Sequence, residues 1–370
     1  MKSRNPWVLM TLLLLPLLMM GRLSSAASAA AAASAAGRLE ISLAQCVEGY
    51  IAGSDAVRTA EKKTADSAEA YRRAVAEKKA ALSLTELKIS AEAAELALAE
   101  ARNNAAIQGV QAYIGLAQAA RDAQSKHASV AAAEEKLRVL RLRHQAGLIT
   151  SDTVLQQENA YLSAKDVVIR ADDSLRQAKD DLCRAMAIDI YEEIVLTTDV
   201  ASLADETAEY DVAECTALAR AASSSYFSAV KSEELAGQKC VALQDPMIAT
   251  KAERALAEDA LRDAADKLSS AEKSLNDSVA NALAQLDSLI RSLRMQVLSA
   301  QLADANLDVA RIKFGYGEML QYELDSEVNS TNQAYDKVTK AKEDLYVQVL
   351  KIESMIGRDV ADILSQAGLK

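Results

Sequence analysis

The phrase RHQAGLITSDTVLQQENAYLSA, Arg143 to Ala164, returns far downstream as KFGYGEMLQYELDSEVNSTNQA, Lys313 to Ala334. In both copies a glycine interrupts sequence that is otherwise helical. With Gly147 placed over Gly317, Leu137 meets Leu307, Val139 meets Val309 and Arg141 meets Arg311. Downstream, Asn159 meets Asn329, Ala164 meets Ala334, Val168 meets Val338 and Leu175 meets Leu345. With one residue of slack, LAQC ending at Cys46 meets VAEC ending at Cys215. The chain therefore reads as a duplicated unit, 41–192 and 211–362, with a linker at 193–210 that has lost the helical period. So long a period describes two domain-sized copies rather than a solenoid.

Each unit carries a heptad pattern. Before the first glycine the apolar positions are Val130, Ala133, Leu137 and Leu140, with His144 next. In the second copy they are Leu286, Leu289, Leu293, Ala300, Ala303, Leu307, Ala310 and Phe314. After the glycines the pattern resumes, from Val154 and Tyr161 to Leu182, and from Leu324 and Ala334 to Met355. Steps of three and four mark a coiled-coil seam. Each unit then predicts a long helical hairpin, folded where glycine gives the backbone freedom to turn. The outgoing arm, from about Ser90 to Gln145, would span on the order of 80 Å, and the returning arm, Ser151 to Ala187, on the order of 55 Å. A further helix opens each unit, Ser42 to Leu82 and Val212 to Leu243. Hairpins this long bury little per residue alone, so partners are expected.

Composition supports an all-α chain. Only Pro6, Pro16 and Pro246 occur, and aromatics make up 4 %. Alanine and straight-chain residues lose little on entering a helix, whereas a large sheet would call for β-branched and aromatic residues. Residues 1–36 are a different text. Lys2 and Arg4 precede an apolar run from Trp7 to Met20 and then an Ala-rich tract, which reads as a secretory signal and leader. The run is shorter than the ~20 residues a spanning helix needs.

Without Lys2, Arg4 and Arg22 the net charge moves from −11 to −14. So acidic a chain speaks against a nucleic-acid partner bound through phosphate neutralisation. The four cysteines, Cys46, Cys183, Cys215 and Cys240, form no close pair, so no metal site is suggested and buried thiols are expected. Two histidines occur, His127 and His144, the latter at a seam position where a packed ring is expected. No phosphate loop, nucleophile elbow or metal-ligand spacing is present, and nothing assembles a nucleophile, a base and an orienting group. The expectation is a protein that is not an enzyme and has no cofactor.

Duplication, hairpin and export together resemble the TolC-type outer-membrane efflux family. Its units carry a turn phrase of the type R-x-x-x-G-[LI]-x-x-x-x-D-[VL]-L, followed by small residues at heptad spacing and a unit end resembling L-x-x-x-x-G. Here the phrases are RHQAGLITSDTVLQQEN and KFGYGEMLQYELDSEVN; the second unit ends KIESMIGRD with Gly357, and the first ends DLCRAMAID with Ala187 in that place. The similarity covers nearly all of 41–362. It implies a TolC-like α-barrel trunk, formed by a homotrimer, located in the periplasm or at the outer membrane. The hairpin tips would meet a periplasmic adaptor that links to an inner-membrane transporter. On that basis Gly147, Leu148, Ile149 and Thr150, with Gly317, Glu318, Met319 and Leu320, are the adaptor-contacting tips. Glu323 matches an acid that the family often places near the closed lumen entrance; Thr153 stands there in the first unit.

One departure is large. The family inserts a β-hairpin between the first and second helices of each unit, and the subunits pool these into a barrel. The corresponding joints, AALSLTELKIS (Ala80–Ser90) and VALQDPMIATK (Val241–Lys251), have no room for two spanning strands of about 9–11 residues. The barrel segments are missing or vestigial, which leaves outer-membrane contact open. Two readings stand: an efflux or export duct without its barrel, or a structural coiled-coil scaffold of the cell envelope without a lumen.

Overall fold

The computed structural model describes residues 38–188, 193–204, 209–244 and 249–367. The leader read at 1–36 lies outside these. The described chain is almost wholly helical, and its helices recur in matched lengths. Helices α1 (Leu43–Gly53) and α5 (Val212–Ala222) have 11 residues each. Helices α3 (Ala81–Gln145) and α7 (Lys251–Gly315) have 65, and α4 (Ser151–Ala185) and α8 (Gln321–Met355) have 35. Helices α2 (Asp55–Ala76) and α6 (Ser224–Ala242) differ slightly, at 22 and 19 residues. A short α9 (Val360–Ala367) follows. At 1.5 Å per residue, α3 and α7 are each roughly 100 Å long.

The sequence predicts one opening helix per unit, and the structure breaks each in two. Ser54 (φ −72°, ψ 119°) and Ser223 (φ −76°, ψ 118°) are extended. Their hydroxyls accept hydrogen bonds from the amides of Val57 and Tyr226, both at 3.3 Å. Such N-caps are worth about 1 kcal/mol each and let the chain change direction at little cost. Helix α3 starts at Ala81, well before Ser90, because nothing in ALSLTELKIS stops a helix. The first joint is thus only Glu77–Ala80.

In the half of the molecule that ends at the glycine turns, the long helices lie side by side in the order α4–α3–α8–α7. Neighbours run antiparallel. Their seams bury Leu137, Leu140 and Ala171 in the first hairpin, and Leu286, Leu293, Ala300, Leu307 and Leu345 in the second. In the other half α2 packs on α3 and α6 on both α3 and α7.

Between the two halves sits the main core. Strand β1 (Arg38–Ile41) pairs in parallel with β2 (Glu193–Leu196), with Leu39 opposite Ile194 and Ile41 opposite Leu196. The segment read as a linker therefore packs: a 3-10 turn at Val200–Leu203 buries Val200 and Ala201. Tyr113 of α3, fully buried, accepts from the Thr198 amide at 2.8 Å. Cys46 is buried here, and burial pushes its thiol pKa up to about 12. Cys183 and Cys215 are also buried, Cys240 is half-buried, and no disulfide joins the four.

Helix α1 approaches its neighbours closely. A Cβ on Gly53 would lie 2.4 Å from the Ala185 carbonyl oxygen, and one on Gly109 would lie 3.1 Å from the Val47 Cα. Around Gly115, also on α3, nothing lies within 4 Å. Gly53→Ala should lower unfolding stability by about 1–3 kcal/mol through overpacking. Gly115→Ala should raise it by about 0.5–1 kcal/mol through helix propensity. Urea titration of the two variants checks the contrast.

Candidate functional site: hairpin tips and open seams

Each long hairpin turns through the same three backbone bonds. At the first tip the amides of Ala146, Gly147 and Leu148 donate to the carbonyls of Leu142, His144 and Arg143 at 3.1, 2.9 and 2.9 Å. At the second, Tyr316, Gly317 and Glu318 donate to Ile312, Phe314 and Lys313 at the same distances. Gly147 (φ +72°) and Gly317 (φ +73°) take the left-handed position of this helix-ending motif. Ala187 (φ +53°) closes α4 in the same way, in the place where the second unit has Gly357 (φ +85°).

The tip side chains are presented to solvent. Leu148 is 73 % exposed and Tyr316 80 %, while Ile149, Met319 and Leu320 are half-buried. Gly147, Thr150, Gly317 and Glu318 are exposed. The packed ring expected for His144 is not found: the side chain is exposed, in the last turn of α3 beside the glycine turn. Phe314, in the matching place, is exposed too.

Glu323 is half-buried and occupied by local structure. One carboxylate oxygen accepts from the Leu320 amide at 2.9 Å, at the start of α8, and the other accepts from the Tyr322 hydroxyl at 3.2 Å. Burial and the Glu323 charge both hold the Tyr322 hydroxyl above its usual range. At the first tip Thr150 and Thr153 hydroxyls lie 3.2 Å apart in the corresponding place.

A second set of residues was not singled out from sequence. On α4 and the turn before it, Leu148, Leu155, Leu162 and Ile169 recur every seven residues, and all are exposed. On α7, Met295, Leu298, Leu302, Val309 and Ile312 alternate steps of three, four and seven, and are exposed as well. These rows lie on the two edge helices of the α4–α3–α8–α7 row, so each edge carries an unpartnered heptad seam. The signal was in the sequence as a second apolar stripe beside the first. Only the helix order shows which stripe lacks a partner.

The two hairpins meet through polar groups. Glu343 of α8, its side chain 3 % exposed, accepts from Arg121 at 2.7 Å and from Gln118 at 2.9 Å. Nearer the tips, the Asn329 amide donates to the Ser129 hydroxyl at 2.9 Å.

No protein-family model matches the sequence, and no curated relative matches it. Solved structures do. The outer-membrane channel OprN superposes with a TM-score of 0.64 at 15 % identity, covering 86 % of this chain and 90 % of that one. The outer membrane protein VceC from Vibrio cholerae gives 0.60 at 14 % identity, covering 86 % and 96 %. The open state of the Neisseria gonorrhoeae MtrE outer membrane channel gives 0.54 at 15 %, covering 86 % and 89 %. The chain has the fold of these outer-membrane channel proteins. Within this channel fold it is a helical trunk. Among the described residues the only strands are β1 and β2, of four residues each, and the α2–α3 joint spans Glu77–Ala80. No described helix is long and apolar enough to cross a membrane.

Gly317→Ala places a Cβ in the left-handed region and should cost about 1–2 kcal/mol. Ala187→Gly removes the same strain and should gain a comparable amount. Thermal unfolding of both variants, read as opposite shifts of the midpoint, checks the assignment of these turns.

Proposed function

We propose that the chain is the subunit of a TolC-like export duct, secreted through the leader at 1–36 and built from two copies of one hairpin unit. The observation that carries this reading is the pair of open seams. The row α4–α3–α8–α7 alternates in direction, so α4 of one copy fits beside α7 of the next as another antiparallel neighbour. The two edges differ, which makes the contact head-to-tail; such contacts close into a ring where the rotation from copy to copy closes and run on as a filament where it does not.

The magnitudes favour closure. Eight exposed apolar side chains, leaving Leu148 to the tip, at roughly 1 kcal/mol each for partial burial, give on the order of 8 kcal/mol per interface. Association of two free copies costs about 4–15 kcal/mol, so a single open interface is marginal. The last contact of a ring joins partners already held together and avoids most of that cost. Three copies is the number that the family resemblance implies.

In this reading the tips, Gly147 to Thr150 and Gly317 to Leu320, dock a periplasmic adaptor of an inner-membrane transporter. Leu148 supplies the apolar contact at the first tip and Met319 at the second. Glu323 would stand near the entrance, where a ring of carboxylates favours cations over anions. Its bonds to Leu320 and Tyr322 hold it in one place. The matched lengths of α1 and α5, α3 and α7, and α4 and α8 support the duplication, with units at 41–192 and 211–362.

Light scattering should give three chain masses for the secreted form. Leu302→Glu buries a charge in the seam and should weaken each interface by about 30–100-fold, shifting the mass to one chain with unchanged helicity. A Leu302→Glu chain that keeps the wild-type mass would remove the seam from the interface. Met319→Glu should leave the mass unchanged and weaken adaptor pull-down, and Leu148→Glu, at the tip end of the α4 row, should abolish it. Retained adaptor binding in both would contradict the tip assignment.

A further inference from the structure

The junction between the two hairpins has a counterpart on the open edges. Placing Gly147 over Gly317 matches each residue with the one 170 positions later. On this match α3 corresponds to α7, and α4 to α8. The junction inside the chain joins α3 to α8. Its counterpart would join α7 to α4, and these two helices stand at opposite edges of the row.

The polar links of the internal junction recur there. Arg121 donates to the buried Glu343 at 2.7 Å. Arg121 matches Arg291, and Glu343 matches Asp173. The Ser129 hydroxyl accepts from the Asn329 amide at 2.9 Å. Ser129 matches Ser299, and Asn329 matches Asn159. The third link, from Gln118 to Glu343, has a shorter donor in its place, Ser288. Arg291, Asp173, Ser299 and Asn159 are all exposed. Among the described residues, the side chains of Arg291, Ser299 and Asn159 have no hydrogen-bond or ion-pair partner. Asp173 pairs with Arg176 of its own helix at 2.8 Å, and an exposed pair of this kind is weak.

The apolar rows give the same register independently. If Asp173 faces Arg291 across antiparallel helices, Ile169 faces Met295, four residues back on α4 and four on along α7. One heptad further Leu162 faces Leu302, and one more brings Leu155 to Val309. All six are exposed. A slip of one heptad would still set Ile169 on Leu302 and Leu162 on Val309, but it would put Asp173 against Leu298. The internal junction has Ser125, Ala128 and Ala132 where α7 has Met295, Leu298 and Leu302, and Asp325 and Asn332 where α4 has Leu155 and Leu162. That contrast has a physical reason. The internal junction joins helices already held in one chain, whereas a contact between copies must offset the cost of association.

We propose that α7 of one copy meets α4 of the next in the register that α3 and α8 keep within the chain, with Arg291 on Asp173 and Ser299 on Asn159. The occupant of each open edge is a second copy of this chain. The inference rests on the duct reading, in which these edges meet, and adds the residues that fix their height. Asp173 is one methylene shorter than Glu343, a difference the long arginine side chain spans. Apolar rows alone tolerate a heptad slip; a charged pair that the slip would bury unpaired selects against it.

Disulfide trapping reads the register directly. The variant Leu162→Cys/Leu302→Cys carries facing thiols, and Leu155→Cys/Leu302→Cys carries thiols one heptad out of step. On mild oxidation the first should give linked chains on a non-reducing gel. The second, and the wild type with its native cysteines, should run as single chains. Charge exchange tests the pair itself. Arg291→Glu sets two carboxylates face to face and should weaken assembly at least tenfold, and Asp173→Arg should do the same. The double variant Arg291→Glu/Asp173→Arg should recover most of the loss, with helicity unchanged throughout. With a wild type that assembles, trapping of the out-of-step pair, trapping of neither pair, or no recovery in the double variant overturns the register and leaves the duct reading in place. A wild-type chain that stays single by light scattering overturns the duct reading and this inference with it.

Discussion

A helix of 65 residues with an apolar stripe cannot bury that stripe against itself. This constraint governs the rest of the molecule. Each long helix needs a neighbour along its full length, and one left-handed turn supplies the first: α3 folds back on α4, and α7 on α8. The neighbours leave edges, and the edges carry stripes of their own. Leu162 on α4 and Leu302 on α7 are more than half exposed for this reason. Interfaces this apolar are completed only by another copy or another chain.

Within the hairpins the packing is apolar, while below the core the hairpins meet through Arg121, Gln118 and Glu343 and through Ser129 and Asn329. A buried carboxylate is costly unless paired, and replacing such a pair by apolar residues is often neutral or stabilising. What the pair adds is register: Glu343 reaches both Arg121 and Gln118 only when α8 sits at one height against α3. A purely apolar junction between two similar hairpins would slide by a heptad at little cost. An open groove beside it is lined by Asp122, Lys126, Asp336 and Lys337.

Much of this was legible in the sequence, and the exceptions have physical causes. The glycine turns could be read because no other residue takes φ near +72° without strain, and the seams because their period is unbroken. The breaks at Ser54 and Ser223 were missed because a serine inside Ala-rich sequence is compatible with a helix; the close approaches beside them, Gly53 to Ala185 and Gly357 to Ala222, join residues remote in sequence. The strand at Glu193–Leu196 was read as linker because its partner, Arg38–Ile41, is remote in sequence. Ala187, left-handed as well, could be read only from its place opposite Gly357, since alanine itself gives no sign of a turn. At the candidate site, Gly147 and Gly317 were visible as punctuation, whereas the open seams were not. Whether a stripe is covered depends on which helices stand side by side, and periodicity alone does not say that.

The central claim is that the open seams close a ring around a channel. Negative-stain imaging of the purified chain tests it most directly. The account predicts end views with a stained centre and side views of a tube about 100 Å long, the length of α3 at 1.5 Å per residue. Single chains, or solid rods with no stained centre, would contradict it and leave a coiled-coil scaffold with the channel fold and no lumen.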